Sequence, residues 1–257
     1  MRCVILLILL LFVIPSTAPA ALGLILPADD IVSQGESSLL GLQIRLFDPL
    51  NQRFLEVARP RRFGVQRIDE PVDLLADLNS AQAPKTTAWL AEFAIKRPGD
   101  HTFNVELAPR WAAEEEQFIV HHAKLCVNAL GLEEGWDEPV GLEAEIVPLS
   151  RPYGVWTGNL FSGQVLLNGD PAPYVVIEIA WLGTSPDAPP FTAAPAAPYL
   201  VQKVHADANG VFHYAMPRAG WWGFAAALEA DWTIRRDSDE KPVTIVTSYW
   251  VMARDMK

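Results

Sequence analysis

Cysteine is nearly absent from this chain. Two occur in 257 residues, and Cys3 lies in an apolar leader. Met1-Arg2 is a minimal basic start, Cys3 to Ile14 is an unbroken apolar run, and Ser16-Thr17-Ala18-Pro19-Ala20 supplies a small-x-small cleavage pattern. Residues 1–20 therefore read as a signal peptide cut after Ala20, with Ala21 as the mature N-terminus. The apolar run is too short to span a bilayer, and no later segment approaches ~20 apolar residues. Cys3 precedes the run instead of following it, which argues against a lipoprotein. Only Cys126 would remain, so no intrachain disulfide can form and an exported chain must rely on its core. Cys126 sits in the apolar stretch Lys124-Leu125-Cys126-Val127, which suits a buried, inert thiol.

Positive charge is also scarce. Lys and Arg number 20 against 31 Asp and Glu, for a net charge of -11, and loss of Arg2 with the leader makes it -12. No basic stripe exists to hold nucleic acid. Acidity of this degree fits cation handling and a purely structural role equally. There is no Gly-rich phosphate loop, no Gly-x-Ser-x-Gly, no His-Glu-x-x-His and no Cys-x-x-Cys. Asp207-Ala208-Asn209-Gly210 lacks the later acidic ligand of a calcium loop and reads as a β-turn. Trp221 and Trp222 would point to opposite faces of a strand, so at least one belongs to the core. No nucleophile, base and orienting group can be named together, so enzyme activity is not expected.

What the chain does have is period-two alternation. Leu40, Leu42, Ile44 and Leu46 mark a half-buried strand. Trp89, Ala91, Phe93 and Ile95 mark another, and Phe103, Val105 and Leu107 follow Pro98-Gly99-Asp100, so residues 87–108 read as a hairpin. Phe118 to Ala129 is apolar on both faces and should be a central strand. Gly131 to Val140 is aperiodic and rich in Gly and acid. Beyond it come short strands with turns at Asn168-Gly169, Asp207–Gly210 and Pro217–Gly220, a Pro- and Ala-rich loop over 183–198, and a polar loop over 235–241. The fold class is all-β: two β-sandwich domains, 21–140 and 141–257, the second immunoglobulin- or transthyretin-like.

Five histidines are present: His101, His121, His122, His205 and His213. His121 and His122 are adjacent and cannot easily chelate one ion from a regular strand. The alternation does not decide which of the two faces outward. Glu106 follows His101 on one strand at opposite parity, so both could reach one ion only through a twist or bulge. Most histidines serve as hydrogen-bonded polar groups, and spacing alone establishes no metal site here.

Several strings together resemble one family. They are Pro98-Gly99-Asp100-His101 with Val105-Glu106; Ile119-Val120-His121 with Lys124 and Gly131-Leu132-Glu133-Glu134-Gly135-Trp136-Asp137; Arg151-Pro152-Tyr153-Gly154 with Trp156-Thr157-Gly158-Asn159; and Met216-Pro217-Arg218-Ala219-Gly220-Trp221-Trp222-Gly223. Over nearly the whole mature chain they are similar to the NikK-like periplasmic accessory component of nickel energy-coupling-factor transporters. That resemblance implies a soluble periplasmic protein carrying nickel or cobalt as cargo to an inner-membrane transporter. Family members begin their mature chain with histidine, where this chain has Ala21, which keeps the α-amine but not the imidazole.

Two readings follow. In the first, the chain is an accessory of divalent-metal uptake whose site lies in the N-terminal domain and uses His121, with His101 and Glu106 as the next candidates. Imidazole and carboxylate suit Ni²⁺ and Co²⁺, and binding should weaken as pH falls through ~6.5. In the second, the chain is a non-catalytic structural or interaction module of the envelope, with no ion.

Overall fold

Alternating apolar residues can bury one face of a strand, and in this chain the strands at Leu22–Pro27, Gly99–Glu106, Gln117–Ala129 and Ala144–Pro148 are buried on both. The computed structural model describes residues 21–68, 70–83, 86–184 and 194–256. The expected signal peptide lies outside the described residues, as does 185–193 of the expected Pro- and Ala-rich loop.

The first half carries β1 (Leu22–Pro27), β2 (Ile31–Val32), β3 (Leu39–Asp48), β4 (Arg53–Leu55), β5 (Arg62–Arg67), β6 (Glu70–Asp73), β7 (Asn79–Ala83), β8 (Thr86–Ala94), β9 (Gly99–Glu106), β10 (Arg110–Ala112) and β11 (Gln117–Ala129). The second carries β12 (Ala144–Pro148), β13 (Val155–Trp156), β14 (Leu160–Leu167), β15 (Asp170–Pro171), β16 (Val176–Gly183), β17 (Val201–His205), β18 (Val211–Ala215), β19 (Gly220–Arg236) and β20 (Asp239–Arg254). Apart from two short 3₁₀ turns, the described residues form strands and loops. No helix among them is long and apolar enough to cross a membrane.

Three sheets result. A five-stranded sheet runs β1-β3-β8-β7, with β4 on β3. An eleven-stranded sheet runs β17-β16-β19-β20-β11-β9-β5-β6, with three short strands attached. A four-stranded sheet runs β12-β14-β15, with β18 also on β14. The large sheet is sandwiched on both sides. One core draws on the five-stranded sheet and on Trp221, Ala225, Val246 and Trp250 of the large sheet. The other draws on β12, β14 and β18, and on Trp222, Phe224, Tyr249 and Val251. Successive residues of β19 and β20 thus feed opposite cores, as strand parity requires. Trp221 and Trp222 are both core residues, one on each side.

The all-β sandwich expectation holds, with two corrections of connectivity. The halves do not keep separate sheets. β11 and β20 pair in parallel over seven residues, from Phe118↔Val243 to Lys124↔Tyr249, so one sheet runs through both. Nor do residues 87–108 form a hairpin. β8 pairs with β3 and β7, whereas β9 pairs with β11 and β5. The chain between them arches across the core, so Phe93 and Phe103 meet edge to face at 5.4 Å instead of lying side by side. The expected loop over 235–241 is also smaller than read: β19 and β20 pair as far as Arg236↔Asp239, with Asp237 in the left-handed region at the turn.

The N-terminal strand is locked to the last one. The Gly23 carbonyl accepts from Ser248 Oγ at 2.7 Å and from Trp250 Nε1 at 2.8 Å.

Candidate functional site

Register sorts the residues singled out in the sequence onto two faces of the large sheet. In β11, His121 shares a face with Ala123, Leu125 and Val127, which belong to the core under the five-stranded sheet. His122, Lys124, Cys126 and Asn128 occupy the other face. His101 pairs with Val127, so it shares the His121 face but lies six residues along it, about 20 Å away at ~3.3 Å per residue. Glu106 has the parity of the opposite face and approaches His122, with Oε2 at 4.0 Å from Nε2. The structure therefore pairs Glu106 with His122 and separates His121 from both His101 and Glu106. No group of three His, Cys, Asp or Glu among the described residues could hold a metal ion.

Neither His121 nor His122 is outward; both are buried. Burial, reinforced by Arg110 and His122 and opposed by a hydrogen bond to the Ala21 backbone, lowers the His121 pKa to about 3. Burial lowers that of His101 to about 4, against a hydrogen bond from its ring to the Gly99 carbonyl. Both rings are therefore neutral at pH 7, and protonation would not touch them near pH 6.5, where the sequence placed a loss of metal binding. His122 is also lowered by burial, opposed by the Ala144 carbonyl and by Glu106 and Glu143. Of the other two histidines, the ring of His213 meets Ser162 Oγ at 2.7 Å, and His205 is exposed on the edge strand β17.

The His122 face is a polar layer. By register, His122 and Lys124 of β11 sit beside Thr247 and Tyr249 of β20, Cys126 and Asn128 sit opposite Thr102 and Asp100 of β9, and Glu106, Asn104 and Thr102 of β9 face Arg62, Gly64 and Gln66 of β5. The same face is apolar core under β16 and β19 and turns polar from β11 outward. Residues 130–145 lie over it, and the layer ties them down. Asn128 Nδ2 donates to Asp100 Oδ1 at 2.7 Å and to the Leu132 carbonyl at 2.8 Å, and the Glu134 N–H donates to Asp100 Oδ2 at 2.7 Å. Arg62 donates to the Val140 and Gly141 carbonyls, both at 3.2 Å. Glu145 accepts from the Val140 and Gly141 N–H groups at 2.9 and 3.0 Å and from Lys124 Nζ. His122 Nδ1 meets the Ala144 carbonyl at 2.9 Å.

Lys124 and Glu145 are 0% and 2% exposed. Burial lowers the Lys124 pKa, and Glu145 opposes that shift. Buried charges of this kind persist only when paired and hydrogen-bonded. Asn104 Oδ1, Thr247 Oγ1 and Tyr249 OH in or beside the layer have no partner among the described residues. Cys126 lies in the same layer, and burial, with Asp100 beside it, raises its pKa well above the ordinary thiol value. It is an inert thiol, as its apolar sequence neighbours suggest.

Sequence reasoning missed Lys124, Glu145, Asp100 and Asn128 as a set. The available signal was the matched period-two run of polar residues at 122–128 and 100–106. The layer holds buried ion pairs and caps backbone groups of the crossing segment. It presents no exposed nucleophile beside a base.

A family model described as "Domain of unknown function (DUF4198)" matches residues 19–230. No curated protein matches the chain. Among solved structures, dimeric latent PorU from Porphyromonas gingivalis is 14% identical over 87% of this chain and 20% of its own, with a TM-score of 0.22. The D0-D1 domain of Intimin is 8% identical over 91% and 100%, with a TM-score of 0.22. E. coli alpha-2-macroglobulin in its native conformation is 11% identical over 93% and 14%, with a TM-score of 0.26. The chain spans a fifth of the length of the first of these. Likeness this slight carries no functional argument.

Proposed function

The chain belongs to the DUF4198 family, whose description assigns no activity, and from that premise we propose that it is a non-catalytic interaction module of the cell envelope, exported and docking on a membrane or envelope partner. The observation that supports this reading is the use made of the titratable groups. His101, His121, His122, Lys124, Glu145 and Asp100 are all buried, and those of the polar layer fasten the segment that crosses between the two sandwiches. That leaves the exterior for recognition. Trp156, at 46% exposure, lies on β13 where the segment rejoins the large sheet. A photo-crosslinking residue placed at Trp156 should give a discrete adduct in intact cells. Its absence there and at exposed Tyr174 would count against docking.

A second reading, transfer of nickel or cobalt to an inner-membrane transporter, is favoured by one observation. The His121 imidazole hydrogen-bonds to the backbone of Ala21, the residue that cleavage after Ala20 would make N-terminal. The new α-amine would then belong to the residue whose backbone the neutral imidazole touches, and both are nitrogen donors suited to these ions. On this reading His121 alone of the three predicted ligands takes part.

A further inference from the structure

A cleft of about 310 Å³ lies beside the second sandwich, with Pro49 and Gln52 of the first half on its wall. Trp181, Trp222, Tyr199, Pro217, Gln202 and Arg218 are among its lining residues. The indoles are fixed in place: Trp181 Nε1 donates to the Ala219 carbonyl at 3.0 Å and Trp222 Nε1 to the Arg218 carbonyl at 2.9 Å. Tyr214 packs against Trp222 at 5.7 Å between centroids, and its hydroxyl donates to Gln202. The Arg218 guanidinium lies 3.5 Å from the centroid of the Trp181 ring, a cation–π contact that holds its plane.

Arg218 is the one charged side chain among the described residues that line the cleft. The chain as a whole carries -11, so a cation without an acid beside it is locally exceptional. Arg218 is exposed, so its guanidinium can be reached by an anion from solvent. Both indole N–H groups are spent on the chain's own carbonyls, so the tryptophans offer a ligand their ring faces. The lining offers flat apolar walls, the Gln52 and Gln202 side chains and one planar cation.

We propose that this cleft binds a small amphiphile: an aromatic or branched apolar body that packs against Trp181, Trp222 and Tyr199, with one carboxylate or sulfonate on Arg218. The volume is at the lower end of ligand pockets, which limits the ligand to about three rings. The site stands on its own geometry and does not depend on docking to a larger partner.

The test uses two dyes that differ in a single anionic group, anilinonaphthalenesulfonate and neutral phenylnaphthylamine, titrated into the mature chain by fluorescence. One-to-one binding of the sulfonate is expected. Arg218→Gln should weaken the sulfonate about tenfold and leave the neutral dye within about twofold. Tyr199→Ala, at an exposed position that the fold does not need, should weaken both. Urea midpoints equal to the parent's establish that each variant is folded. Failure of the parent to bind the sulfonate, or equal sulfonate affinity in the parent and Arg218→Gln, would overturn the proposal.

Discussion

Lowering the pH from 7 to 5.5 should destabilise this protein well before its carboxylates titrate. The folded pKa values of His101 and His121 are about 4 and about 3, below the ~6.5 of an unfolded chain. The unfolded state therefore binds more protons over the interval between those values. The stability that neutral burial confers is complete above ~6.5 and is lost as pH falls toward the folded values. Between pH 7 and 5.5 each ring costs about 1.2 kcal/mol by this linkage, so the pair costs about 2.5 kcal/mol. His122, also lowered by burial, adds in the same direction. Urea unfolding at the two pH values, read by tryptophan fluorescence, measures the difference. His101→Phe keeps the ring contact with Phe93, now 5.7 Å between centroids, and should remove about 1.2 kcal/mol of the pH dependence whatever it does to stability at pH 7. Equal stability at pH 7 and 5.5, or an unchanged slope in the variant, would refute the buried neutral state of these rings.

Three further outcomes follow from the packing. Lys124→Met leaves Glu145 buried without its cation and should cost on the order of 3–5 kcal/mol in urea unfolding; adding Glu145→Gln should recover part of that loss. Gly223→Ala would place a Cβ 2.6 Å from the Trp250 ring, which the bond to the Gly23 carbonyl holds in place, and should cost about 1–3 kcal/mol by the same assay. Tyr249→Phe removes a buried hydroxyl that has no partner among the described residues and should leave the urea midpoint unchanged or raised by up to ~1 kcal/mol equivalent.

Much of the architecture is legible in the alternation of residues. Leu40 to Leu46 announces β3, and the two-sided apolar run from Phe118 to Ala129 announces a strand buried in mid-sheet, which β11 is. Parity also carries part of the site. Glu106 and His101 differ by an odd number of residues, so a regular strand keeps them on opposite faces, and β9 is regular there. Partnership between strands is not legible. Nothing in residues 118–124 specifies pairing with 243–249 across more than a hundred intervening residues, because any two apolar strands offer the same backbone groups. The alternation in 87–108 fits a hairpin and an arch equally well; in the arch Phe93 and Phe103 meet edge to face from different sheets. The polar layer was hidden for a related reason. His122, Lys124 and Asn128 read locally as a wet face, and they are dry because the aperiodic 130–145 segment, which looks like a linker, folds back over them.

The central claim is that the buried imidazoles serve the fold and form no metal centre with Glu106. Calorimetric titration of nickel into the chain beginning at Ala21, at pH 7, tests it most directly, with His121→Ala alongside. No stoichiometric binding and the same small heats in both proteins are expected. One-to-one binding that disappears in His121→Ala would contradict it and establish the metal-transfer reading in its place.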